Sequence, residues 1–208
     1  ELKEMLLKVR PNLTKSWPEG QGERLLTSVI WLWLSISDDS SIHNCALNAV
    51  KEDSMTLSKA ALNALKYVNC KERDVALEIF YERWSKRPEI LDTWFGICAS
   101  IPRSSGIKNI HELIKHPLFD PLAPNAIRAV LGGLENNPII FHAKDGSGYK
   151  FIADQILSID KNNPITASRM VKIFKDWKKY LPDQRDLMFE TINKLYANQL
   201  STNTKEIL

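Results

Sequence analysis

The chain has 208 residues, of which 44% are hydrophobic and 25% are charged, with 28 Lys+Arg against 25 Asp+Glu and a formal net charge of +3. This length suits one large domain or two small ones, and it can bury a core without disulfides or metals. The nearly balanced charge argues against nucleic acid as a partner, because nucleic-acid binders usually concentrate basic residues on one face. No stretch is long and apolar enough to span a bilayer, so we expect no membrane partner.

Helical periodicity dominates from the first third of the chain onward. The apolar run 29–36 suits either a buried strand or a buried helix, and we predict a helix because no second strand is present to pair with it. Over 55–68 the apolar residues recur every three or four positions, which places them on one helix face. The segment 75–84 continues this pattern.

Asn and Pro residues mark the starts of later helices. Asn137-Pro138 and Asn163-Pro164 each place an N-capping Asn before a Pro at the first helical position. Pro88 and Pro182 open further segments in the same way. We expect the breaker-rich segment 106–124 to be more irregular.

The alternation of helices with short turns predicts an all-α fold. Two further apolar stripes, over 170–181 and 187–196, extend the helical pattern towards the C-terminus. No strict repeat is visible, yet the pattern suits a superhelical array of paired antiparallel helices, a HEAT- or armadillo-like α-solenoid. We see no linker or composition shift and expect 1–208 to form one domain.

Three cysteines and six tryptophans give structural expectations. Cys45, Cys70 and Cys98 lack the Cys-x-x-Cys spacing of metal sites, and we predict buried, reduced thiols in a cytosolic protein. One disulfide with a spare thiol is the alternative. We predict that the tryptophans anchor the core: Trp17, Trp31, Trp33, Trp84, Trp94 and Trp177.

The histidines do not match a metal-binding pattern. His111 and His116 flank a sequence close to His-Glu-x-x-His, but they are five residues apart, which separates them by about 140° around a helix. His43 and His142 are isolated from Cys and carboxylates in the sequence. We therefore expect no metal, cofactor or catalytic residue in this chain, although a Ser/His/Asp triad is a spatial arrangement that sequence order does not reveal.

Asp145-Gly146-Ser147-Gly148-Tyr149 is the one glycine-rich loop. It lacks the Lys of a phosphate-binding loop and the three glycines of a dinucleotide fingerprint. We predict a tight turn whose glycines take positive φ, followed by a helix that begins near Tyr149.

Four basic residues fall at helical spacing near the C-terminus: Arg169, Lys172, Lys175 and Lys179. They form a basic stripe roughly opposite the apolar stripe of the same segment. A solvated helix face is the simpler interpretation. The alternative is an acidic partner or nucleic acid, and binding of nucleic acid would weaken steeply with salt.

Five strings occur in an order typical of one known family. The chain resembles the C-terminal domain of bacterial aminopeptidase N from about Ser54 to about Leu195, and less clearly over 1–53. The most specific string is Phe141 to Tyr149, FHAKDGSGY. The strings are DSMTLSKAAL at 53–62, DTWF at 92–95, PNAIR at 124–128, NP at 137–138 running into FHAKDGSGY, and NPITASR at 163–169.

The resemblance implies a function for the whole protein. Members of that family are zinc exopeptidases that remove N-terminal residues from peptides, and we expect a cytoplasmic location from the reduced cysteines. Their zinc is held by a His-Glu-x-x-His helix and a later Glu, and a Gly-x-Met-Glu-Asn motif recognises the free amine; neither motif occurs here. The resemblance thus implies a zinc-containing catalytic domain upstream of Glu1, an inactive fragment, and a C-terminal domain that caps this partner and limits access to an internal cavity.

The resemblance also carries over candidate substrate-cavity residues. Arg128 and Arg169 end their strings and are expected to face the cavity near the C-terminal side of a peptide substrate, where a guanidinium can pair with a carbonyl or carboxylate. A salt bridge or helix-cap contact within the domain is an equal alternative. Asn125 is a weaker candidate, with an N-cap role favoured, and Ala126 stands where family members can carry another Arg.

The alternative function is a stand-alone helical-repeat scaffold for protein interactions. It explains the helical pattern and the missing catalytic motifs, but it does not explain five ordered matches. For the favoured function we expect the protein's own catalytic domain and peptide substrates as partners.

Overall fold

A computed structural model describes residue 4 and the ranges 18–37, 39–52, 54–103 and 105–208. Within these ranges the fold is all-α, as predicted, with twelve α-helices and two short 3₁₀ helices. None of the helices described is long and apolar enough to cross a membrane. The chain divides into two compact units, 1–97 and 98–208.

The helices of the N-terminal unit are α1 Gln21–Ser35, α2 Ser40–Lys51, α3 Met55–Leu65, α4 Lys71–Trp84 and, crossing into the next unit, α5 Pro88–Ser100. The run 29–36, predicted as a helix, lies almost entirely in α1. The unit is organised around α3, which packs against α1, α2 and α4, and α4 also packs against α2. The predicted apolar face of α3 is buried.

The tryptophans do not anchor the core, contrary to the sequence prediction. Trp17 lies outside the described residues, and the other five are half-buried or exposed, with Trp33 at 57% exposure. Trp94 lies at the edge of the core because its indole N–H needs a hydrogen-bond partner, and its Nε1 donates to the Leu77 carbonyl at 3.1 Å. The unit's core consists instead of Ala, Leu, Ile, Val and Phe side chains such as Leu34, Ala61 and Phe80.

The helices of the C-terminal unit are α6 Ile107–Leu113, α7 Pro124–Glu135, α8 Pro138–Phe141, α9 Ser147–Asp160, α10 Pro164–Val171, α11 Pro182–Tyr196 and α12 Thr202–Lys205. The unit is organised around α9, which packs against α6, α8, α10 and α11. Buried apolar side chains of these helices and of α7 form its core, including Val130, Ile152 and Met188.

The predicted helix starts are confirmed at the Asn-Pro pairs. Asn137 and Asn163 are the N-caps of α8 and α10, and each is followed by Pro at the first helical position. Asn163 Oδ1 accepts from the Thr166 amide at 3.0 Å. Asn137 also donates through Nδ2 to the Ile101 carbonyl at 2.9 Å, so its side chain ties α8 to the segment after α5.

The basic stripe predicted on one helix is divided between three elements. The α-helix ends at Val171, and 3₁₀ helices follow at Lys172–Phe174 and Trp177–Lys179. Lys179 pairs with Asp176 at 2.7 Å. Leu181, predicted on the apolar stripe, is 73% exposed. It precedes the Pro that begins α11 and has a ψ of 155°, outside the helical region, as expected for a residue before proline.

The two glycines of the 145–149 loop have different roles, which corrects the prediction that both take positive φ. Gly146 has φ of 70° and precedes α9, which begins at Ser147. Gly148 lies inside α9, where its lack of a side chain permits close packing against α8. A Cβ at this position would lie 2.5 Å from both the Ile140 and the Phe141 carbonyl oxygens.

We predict that Gly148→Ala lowers the free energy of unfolding by about 1–3 kcal/mol or more, because the added methyl group meets backbone that has to move. The measurement is denaturant unfolding. Gly132→Ala is the matched control, since a Cβ there meets no atom within 4 Å in the interior of α7. It should raise stability by about 0.5–1 kcal/mol. Equal effects of the two substitutions would contradict this role of Gly148.

Candidate functional site

The FHAKDGSGY run, which carries the most specific resemblance, forms a buried aromatic cluster. The Tyr149 hydroxyl donates to His142 Nδ1 at 2.6 Å, and the Tyr149 ring meets Phe141 edge-on at 5.1 Å. Burial, with a smaller contribution from Tyr180, raises the pKa of Tyr149 to about 12. The hydroxyl keeps its proton at neutral pH and can donate it to an unprotonated ring nitrogen of His142.

His142 takes part in this cluster through a ring nitrogen and through contacts of its ring with two aromatic rings. Its ring lies 4.6 Å from Phe141 and 4.5 Å from Tyr180. Burial lowers the pKa of His142, which favours the neutral imidazole that accepts from Tyr149. The FHAKDGSGY run therefore joins α8 to α9, and the hydrogen bond between Tyr149 and His142 helps to hold these two helices together.

Arg128 lies on the first turns of α7 and is exposed. Its Nε donates to the Pro124 carbonyl at 3.2 Å, and its terminal nitrogen donates to Asn125. These contacts hold the guanidinium against its own helix. Asn125 is not an N-cap, contrary to the favoured interpretation: Ala123 holds that position, because Pro124 is the first helical residue.

Arg169 lies in the last turn of α10 and is also exposed. Within the described ranges we find no hydrogen bond or ion pair for its side chain, which leaves the guanidinium available to solvent. Because α10 packs against α7, the two candidate arginines lie on neighbouring helices of the same unit.

A groove of about 460 Å³ lies in the C-terminal unit beside α7 and α9. Its walls are mainly apolar, with Ile127 and Leu131 on one side and Ile159 on the other. Gln155 and Asn162 add polar groups. Neither candidate arginine lines this groove, so it is separate from the site that the resemblance implies.

His111 and His116 do not share a helix. Helix α6 ends at Leu113, and His116 lies beyond it, where its Nδ1 accepts from the Leu118 amide at 3.1 Å. The His111 ring instead meets Phe151 edge-on at 4.9 Å. The local geometry is therefore not that of a zinc-binding helix.

The three cysteines form no disulfide, but only one is buried as predicted. Cys98 is buried, Cys70 is half-buried and Cys45 is exposed on α2. Cys70 also belongs to a cluster that the sequence did not reveal. A ring nitrogen of His43, the thiol sulfur of Cys70 and a carboxylate oxygen of Glu72 all lie within 4.8 Å of one another. His43 lies on α2, whereas Cys70 and Glu72 lie at the start of α4, so no ligand spacing in the sequence indicates the three together.

The whole chain matches one family model. Over residues 1–208 it matches the family described as "Domain of unknown function (DUF3458_C) ARM repeats". The chain belongs to this family of ARM-repeat domains. Because ARM repeats stack paired helices into α-solenoids, the predicted fold class is confirmed.

The relatives of this domain are aminopeptidases, which confirms the resemblance found in the sequence. The chain is 38% identical over 137 residues to aminopeptidase N of Caulobacter vibrioides and 29% identical over 144 residues to that of Escherichia coli. These matches cover 65% and 69% of this chain but only 16% and 17% of the relatives. The solved structure of Legionella pneumophila aminopeptidase A in complex with aspartic acid matches 98% of this chain and 25% of its own, with 30% identity and a TM-score of 0.83.

The lowered pKa of His142 predicts a pH dependence of stability. The unfolded chain binds a proton near pH 6.5 more readily than the folded chain, so this residue's contribution to the free energy of unfolding falls as the pH drops through 6.5. We expect the difference in stability between the wild type and His142→Gln to shrink from pH 7.5 to 5.5, measured by denaturant unfolding. A difference that stays constant with pH would show that His142 is not held neutral.

Proposed function

We propose that this chain is the C-terminal accessory domain of a cytoplasmic zinc aminopeptidase that removes N-terminal residues from peptides, and that it limits access to the active-site cavity. The observation that supports this most directly is the match of nearly the whole chain to one quarter of a solved aminopeptidase structure. In such an enzyme a Lewis-acidic zinc activates the attacking water. The remaining three quarters would hold that chemistry, and these 208 residues would contribute shape and charge.

An exposed apolar face on α1 supports attachment to a larger protein. Leu25, Val29, Trp33 and Ile36 follow one another at helical spacing and are 44–65% exposed. Contiguous exposed apolar residues of this kind mark interaction surfaces. Because the chain covers only 16% of a relative's length, we assign this surface to the upstream part of the same polypeptide.

Arg169 is the better of the two candidates for contact with a peptide substrate. Its guanidinium is exposed and free of intramolecular partners among the described residues, whereas Arg128 already bonds to Pro124 and Asn125. A free guanidinium presents several donors to one carboxylate. We therefore propose that Arg169 pairs with the C-terminal carboxylate of short peptides.

We predict that Arg169→Gln in the whole enzyme lowers kcat/KM for a free-acid tetrapeptide by about two- to fivefold, the effect expected from loss of an exposed ion pair. The same tetrapeptide with a C-terminal amide should show no change, because it carries no carboxylate. The measurement is steady-state hydrolysis of the two peptides by both enzymes.

Arg185→Gln is the matched control for this comparison, since Arg185 is an arginine of α11 whose side chain is 42% exposed and whose Nε lies 3.3 Å from Asp186. It should leave the ratio of free-acid to amide rates unchanged. Equal decreases in kcat/KM for the two peptides with Arg169→Gln would contradict the proposed contact between Arg169 and the carboxylate. The accessory-domain role would then stand on the family match alone.

A further inference from the structure

The His43, Cys70 and Glu72 cluster lies inside the N-terminal unit, at the contact of two helices. His43 belongs to the first turns of α2, Cys70 is the N-cap of α4, and Glu72 lies in the first turn of α4. His43 is 3% exposed, whereas Cys70 and Glu72 are half-buried. The cluster therefore has one deeply held ligand and two that solvent reaches.

The hydrogen bond of His43 determines which ring nitrogen is available. Nε2 lies 2.8 Å from the Ser35 carbonyl oxygen, and a carbonyl only accepts, so Nε2 carries the proton. In the neutral ring the lone pair is then on Nδ1. A histidine whose other N–H donates to a backbone carbonyl has the arrangement found in metal-ligating histidines, because that bond fixes the tautomer and the ring orientation.

Ser35 is itself held in place, which makes this arrangement rigid. Its hydroxyl lies 2.8 Å from the Ala64 carbonyl oxygen of α3, and the residue is fully buried. The orientation of His43 thus depends on the packing of α1 against α3. A ligand set with one fixed imidazole needs only small movements of the other two side chains to close around an ion.

We propose that His43 Nδ1, Cys70 Sγ and Glu72 carboxylate form a Zn²⁺ site that links α2 to the start of α4. Imidazole nitrogen, thiolate sulfur and carboxylate oxygen are the three ligand types of zinc, and three protein ligands leave a fourth position for water. Their mutual separations, all within 4.8 Å, need to contract by only about 1 Å to fit Zn–ligand bonds of about 2.0–2.3 Å.

The charges of the site suit a divalent cation. Binding releases the Cys70 proton to solvent, and thiolate and carboxylate together then neutralise Zn²⁺. Without metal, burial and a hydrogen bond to Glu72 raise the pKa of Cys70. The nearby Arg73 opposes a cation, but its guanidinium is engaged with Asp74 at 3.0 Å and with the Val68 carbonyl at 2.8 Å.

A zinc site in this chain departs from the expectation, drawn from the sequence, that the chain holds no metal. The site would act as a cross-link within the N-terminal unit. Because zinc would bind only the folded arrangement, it should raise the melting temperature of the chain.

The test is zinc binding to the 208-residue chain under reducing conditions, measured by competition with a chromophoric chelator. We expect one Zn²⁺ per chain and a rise in melting temperature. Cys70→Ser and Glu72→Gln should each weaken zinc binding by at least about 10–100-fold. Losing a residue that only hydrogen-bonds to a metal ligand already costs this much, and Cys70 and Glu72 would be ligands themselves. Both substitutions preserve size, and Ser is a favourable N-cap, so the fold should survive.

Cys45→Ser is the matched control, because it removes an exposed thiol from the same helix as His43 without touching the cluster. Its zinc affinity should equal that of the wild type. Bound Co²⁺ should give a thiolate charge-transfer band in the wild type and in Cys45→Ser, and none in Cys70→Ser. No stoichiometric zinc in the folded wild type, or equal binding by Cys70→Ser, would overturn the proposal.

Discussion

The structure depends on how the ends of many short helices are satisfied. Each helix end leaves backbone N–H or C=O groups without partners, and burying such groups unpaired is costly. In this chain, side chains from other elements supply the partners: Asn137 reaches the Ile101 carbonyl, Asp160 accepts from the Ser201 amide at 2.7 Å, and His43 donates to the Ser35 carbonyl. Among the described residues, no buried side-chain nitrogen or oxygen lacks a hydrogen bond.

The same constraint explains the two most distinctive local features. In the C-terminal unit, Gly148 lets α9 approach the carbonyls of α8, and Tyr149 then reaches His142 across the gap. In the N-terminal unit, the bond from His43 Nε2 to the Ser35 carbonyl at the end of α1 fixes the imidazole, one ring nitrogen of which lies within 4.8 Å of ligand atoms of Cys70 and Glu72. In the N-terminal unit, the contact that satisfies the carbonyl at the end of α1 thus also fixes the orientation of His43, one of the three proposed zinc ligands.

Local rules predicted much of the fold but not its spatial clusters. Asn-Pro pairs gave the starts of α8 and α10, and apolar spacing gave the buried face of α3. The role of Gly148 depends on the backbone of another helix, which the local sequence does not reveal. The end of α10 at Val171 was not predicted either, because no proline or glycine lies near it in the sequence. The sequence identified Arg128 and Arg169 only through the family resemblance, and His43 and Cys70 are 27 positions apart in the chain.

In the function proposed here, such a helical domain would contribute shape and charge to an enzyme whose chemistry would lie elsewhere in the polypeptide. The most direct test compares the whole aminopeptidase with a form that lacks these 208 residues. Both would be assayed on a short peptide and on a folded protein with the same N-terminal sequence. We predict that the whole enzyme cleaves the peptide much faster than the folded protein, and that the ratio of the two rates decreases when the domain is absent. An active truncated enzyme with an unchanged preference would contradict it.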